Sequence, residues 1–146
     1  MNKALQSKLI GTWTLVSWFN ETVAGDRIYP MGKDATGYIS YTDEGFVFVH
    51  IAAGGRALFN NPDPFTASDA ASAVAFKSHI TYAGRYLCRD DQVSHHVTQS
   101  SAPDWVGSEQ IRDVQFTPGG LRLSAANAAF QGQSVTAVVD WIRAKT

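Results

Sequence analysis

At 146 residues, 45% hydrophobic and 17% charged, the chain has ordinary globular composition and can bury a core without disulfides or a structural metal. The single cysteine, Cys88, excludes an internal disulfide and any multi-cysteine metal site, and points to a reducing, cytoplasmic setting. A net charge of -1, with no block of Lys or Arg, argues against a nucleic-acid partner, and no apolar run approaches the length that spans a membrane.

Met1 to Leu9 lacks the apolar stretch of an export leader, and Leu5 to Leu9 suits one helical turn plugging a barrel end. Ile10 to Asn20 is the first of eight predicted strands, rich in Trp, Val, Phe and Thr. Gly37 to Thr42 and Phe46 to Ala52 form a hairpin across Asp43-Glu44-Gly45, where the glycine supplies the positive φ of such a loop. Asn60-Asn61-Pro62-Asp63-Pro64 is a loop, and Ala67 to Ile80 is the one convincing helix, capped by Thr66 or Ser68 and expected across a barrel mouth. Tyr82 to Cys88, Gln92 to Ser100, Glu109 to Thr117, Leu121 to Ala125 and Ser134 to Arg143 complete the strands. Short turns at Arg89-Asp90-Asp91 and Pro118-Gly119-Gly120, and a longer loop through Trp105, join several of them. Eight strands with successive short connections predict an all-β, antiparallel, up-and-down barrel. It forms one domain over residues 1–146, with an interior filled or just wide enough for a small ligand.

Two end segments carry a resemblance. Gly11-Thr12-Trp13 resembles the Gly-X-Trp that opens lipocalins, and Trp141-Ile142-Arg143 supplies a late-strand arginine. The resemblance implies that Trp13 closes the barrel base with Arg143 stacked on its indole. The stretch Leu9 to Trp18, Pro30-Met31-Gly32, Gly37 to Tyr41, Tyr82 to Tyr86, His95-His96-Val97, Trp105-Val106-Gly107 and Gln110-Ile111-Arg112 are similar, in order, to the bacterial and fungal lipocalin-like domain family. That resemblance implies a calycin-type barrel. Some relatives resemble biosynthetic helpers that isomerise or cyclise natural products.

Strand alternation sorts the candidate chemistry. If Trp13 and Trp141 point inward, so do Leu15, Ser17, Ala137, Val139 and Arg143. Val93, His95, Val97 and Gln99 share an inner face, leaving His96 outside, unless a bulge exchanges them. Gln110, Arg112, Val114 and Phe116 share the drier face of their strand. An interior Arg112 requires a carboxylate, carbonyl or ligand anion, or else it bonds loop carbonyls or Asp104. Tyr82, Gly84 and Tyr86 share a face, and register across the hairpin brings Tyr86 to His95, either as a proton relay or as a satisfied core pair. Tyr38, Phe48 and His50 are further pocket candidates, although both faces of the Phe46 to Ala52 strand are apolar. Trp105 and Gln110 complete the ligand-binding set with Tyr82.

No Gly-rich phosphate loop, metal-ligand constellation or nucleophile elbow is present in the sequence, so neither cofactor nor metal is expected. Four Trp, five Tyr and eight Phe suit an apolar or aromatic pocket. The leading expectation is a binder of a small hydrophobic or aromatic molecule inside the barrel. Its alternatives are a cofactor-free isomerase or cyclase using His95, Arg112 and Tyr86, and an interaction module that forms a homodimer through the Phe46 to Ala52 hairpin.

Overall fold

The computed structural model describes all of residues 1–146. The strands are β1 (Gly11–Thr22), β2 (Arg27–Ile28), β3 (Thr36–Tyr41), β4 (Phe46–Ala52), β5 (His79–Arg89), β6 (Gln92–Ser100), β7 (Glu109–Thr117), β8 (Gly120–Phe130) and β9 (Gln133–Arg143). Antiparallel neighbours follow chain order from β3 to β9, and β1 pairs with both β3 and β9. Eight strands therefore close into a barrel. The two-residue β2 is an addition that the sequence pattern does not predict, too short to show any period, and it hydrogen-bonds only to the far end of β1. No helix is long and apolar enough to cross a membrane.

Closure at the base is built from the first helix, α1 (Lys3–Leu9). The Asn2 side chain accepts from the Leu5 N–H, and its backbone N–H donates to the Cys88 carbonyl at 2.8 Å, tying the helix start to the β5–β6 turn. Leu5 and Leu9 are buried beneath the strands, and the indole N–H of Trp13 donates to the Leu9 carbonyl at 2.9 Å. Arg143 lies 3.8 Å over the Trp13 ring and donates to the carbonyls of Lys8 and Ile10. The expected Trp13–Arg143 seam is present. The guanidinium lies on the outside of the base, and so keeps its hydration while its flat face covers the indole.

The second helix, α2 (Asp69–Lys77), is shorter than expected. Ser68 caps it by accepting from the Ala71 N–H, and Arg56 closes its other end by donating to the Ala75 carbonyl. It buries no residue, and Val74 and Phe76 are exposed. Its alanines offer little apolar area, so it sits on the surface beside β5 and supplies nothing to the barrel interior.

Two bulges correct the expected inward sets. In β1, Leu15 pairs with Trp141 but Ser17 pairs with Asp140, so Val16 is the extra residue. Ser17 turns away and Trp18 enters the interior in its place. In β6, Ala83 faces Gln99 and Gly84 faces Val97, making Thr98 the extra residue and turning Gln99 out to solvent. Gly84 is required at this step, because a Cβ there would collide with the carbonyl of His96.

The core occupies the lower part of the barrel, where Leu9, Trp13, Tyr41, Val47, Cys88, Val93 and Leu121 are almost wholly buried. Above them the interior is open.

Candidate functional site

The open part of the barrel is a cavity of about 510 Å³, within the range of small-molecule sites. Strand alternation delivers its walls. Ile39, Val49 and Ile51 come from β3 and β4, Leu123 and Ala125 from β8, and Val135, Ala137, Val139 and Trp141 from β9. Past the β8 bulge, Ala128, Ala129 and Phe130 continue the wall. Alanines along β8 and β9 leave the space that larger side chains would fill.

Only four lining residues are polar: Asn20, His95, Gln110 and Arg112. His95 is 1% exposed, and both ring nitrogens are engaged. Tyr41 Oη stands 2.8 Å from Nε2, and Tyr82 Oη stands 2.7 Å from Nδ1. Burial, helped by the nearby positive charges of Arg112 and His96, lowers the imidazole pKa to about 3, so the ring is neutral at pH 7. Burial likewise raises the Tyr82 phenol to about 12, against a smaller opposing pull from Arg112, and raises Tyr41 well above its ordinary value.

Arg112 enters the cavity from β7 beside Gln110, as the alternation of that strand predicts. Its Nη2 donates to Gln110 Oε1 at 3.0 Å and its Nη1 to the Ile111 carbonyl at 2.9 Å. Neither Asp104 nor any other acid meets it, and no carboxylate lines the cavity. Trp105, in the 3₁₀ turn Pro103–Trp105, stands at the rim with its ring edge-on to Tyr82, centroids 5.8 Å apart.

Five of the expected site residues thus meet in one cavity: His95, Arg112, Tyr82, Trp105 and Gln110. Four do not. Tyr86 pairs with His95 along the ladder but points below it, donating to the Thr42 carbonyl at 2.8 Å and packing edge-on against Tyr41. Tyr38, Phe48 and His50 lie on the outer surface, where Tyr38 and Phe48 are 59% and 51% exposed. The two apolar faces of β4 left that choice open. It is made by the ladder that sets Tyr41 opposite Val47, Ile39 opposite Val49 and Gly37 opposite Ile51, together with the tie from Tyr41 to interior His95.

Tyr41, Trp18 and Asn20 join the site without having been singled out by sequence. The signal for Tyr41 was its two-residue offset from Ile39, whereas Trp18 and Asn20 stood beyond a bulge that alternation does not reveal. His96 is exposed, 3.6 Å from Glu109, as expected for the outward member of the pair.

Comparison with known proteins adds a family but no activity. No curated protein matches the chain. The solved structure of an uncharacterized protein from Bacteroides eggerthii covers 92% of this chain and 98% of its own at 13% identity, with a TM-score of 0.45. The family model of the lipocalin-like domain matches residues 10–144, nearly the full length, and the chain belongs to that family.

Proposed function

We propose that the protein binds a small, largely hydrophobic or aromatic molecule inside its barrel. The observation that carries this reading is the 510 Å³ cavity, walled by aliphatic and aromatic side chains and interrupted by only four polar ones. A space of this size and character gains binding energy from apolar burial, at about 25 cal/mol per Å² before the costs of association are met, while the few polar groups set orientation. Membership of a lipocalin-like family supports the same reading.

The isomerase or cyclase alternative asks His95 to accept a proton near neutral pH. A ring with a pKa of about 3 and a tyrosine on each nitrogen is poorly suited to that task.

The test is titration with N-phenyl-1-naphthylamine, a neutral aromatic probe whose fluorescence rises in apolar surroundings, against wild type and Ala137→Phe. Saturable one-to-one binding that the cavity-filling variant loses supports the reading. Binding untouched by Ala137→Phe, in a variant whose circular dichroism is native, places the probe elsewhere and overturns it.

A further inference from the structure

The polar groups of the cavity are unequal in kind. Arg112 is the only charged group that lines it, and its side-chain partners are a neutral amide and a carbonyl of its own strand. The half-buried guanidinium thus keeps two hydrogen bonds to neutral groups, has further N–H donors to spare, and meets no counter-ion among the apolar walls. Independently, the indole N–H of Trp141, a residue 2% exposed that lines the same cavity, has no hydrogen-bond partner.

A third donor emerges from proton counting. Neutral His95 carries one ring N–H, yet a tyrosine oxygen faces each nitrogen, so one tyrosine donates to the ring and the other accepts from it. Tyr41 is buried below the cavity, and Nε2 is the sole acceptor for its hydroxyl. Leaving that proton unused would strand a buried donor away from water. Tyr41 therefore donates to Nε2, the ring proton resides on Nδ1 and is given to Tyr82, and the Tyr82 hydroxyl proton is left to turn into the cavity it lines.

We infer that the ligand carries a carboxylate or a comparably acidic oxygen group, received by Arg112 with the Tyr82 hydroxyl and the Trp141 N–H as further donors. This rests on the proposed binding of an apolar molecule in the barrel and specifies its head: the aliphatic walls take the body, and the donors take the anion. A neutral hydrocarbon would leave the Trp141 N–H and the Tyr82 hydroxyl unpaired and Arg112 without a counter-ion, and a cation would meet the Arg112 charge.

The experiment compares 2-naphthylacetate with 2-naphthylacetamide, one body with an anionic or a neutral head, as competitors of N-phenyl-1-naphthylamine on the full chain at pH 7. Wild type is expected to prefer the acid by about tenfold or more, a difference of about 1.4 kcal/mol. In Arg112→Met that ratio falls towards one, and Arg112→Lys restores part of it by returning charge without the planar fork. Equal competition by acid and amide on wild type, or an acid preference that survives Arg112→Met, overturns the inference while leaving the apolar binding reading standing. Failure of the neutral probe and of both competitors to bind, with isothermal titration as the direct check, overturns both.

Discussion

Tyr41 and His95 are joined by a 2.8 Å hydrogen bond between a phenol and an imidazole nitrogen, although they lie 54 residues apart in sequence and on β3 and β6. The bond links the packed base of the barrel to the cavity above it, because the other nitrogen of the same ring meets Tyr82 on the cavity wall.

Stability should fall on mild acidification for this reason. Between pH 6.5 and about 3, the unfolded chain protonates His95 and the folded one refuses the proton, so folding weakens as pH falls. The slope from this group approaches that of one proton taken up on unfolding, beginning near pH 6.5. Urea unfolding of wild type and His95→Phe from pH 7 to 5 checks it. The variant should lose this part of the slope, and parallel slopes would show that the ring titrates normally.

Arg143→Met is expected to destabilise by about 2 kcal/mol, since it removes a cation–π contact and two charge-assisted hydrogen bonds to the end of α1. Amide exchange in Lys3–Leu9 should accelerate more than exchange in β5 or β6. Arg143→Lys should recover only part of the loss, because an ammonium cannot cover the indole and reach both carbonyls as a planar fork does.

Gly84→Ala should cost about 1–3 kcal/mol by forcing the His96 carbonyl away from β5. The shift reaches His95, the next residue, and so binding of a cavity probe should weaken with stability. Thermal melts and probe titration on one preparation measure the two together.

Cys88 should not react with a thiol reagent in the native protein. It is fully buried, and that burial raises its thiol pKa to about 11, so the thiolate that attacks is scarce. Labelling should become complete in denaturant, and rapid native labelling would contradict the packing of the base.

Outer and inner aromatic residues should separate in binding. Phe48→Ser and Tyr38→Ser alter the exposed surface of β3 and β4 and should leave probe affinity within about twofold, whereas Trp105→Ala removes a rim wall and should weaken it by about tenfold.

Much of this architecture was written locally. Apolar alternation and turn residues such as Gly45, which adopts φ of 93°, marked out the eight barrel strands within a few residues, except that β8 runs on to Phe130. The same alternation, with a two-residue period and no bulge before it, put His95 and Arg112 on inner faces. The bulges at Val16 and Thr98 and the choice between the two apolar faces of β4 depended on residues from distant strands and had no local mark. His95 shows the division. Its strand position determined that it faces inward, but only the folded barrel determined that Tyr41 and Tyr82, rather than neighbouring Tyr86, hold its nitrogens. Hydrogen bonding depends on where side chains end in space, and that point is set by barrel curvature and shear rather than by order along one strand.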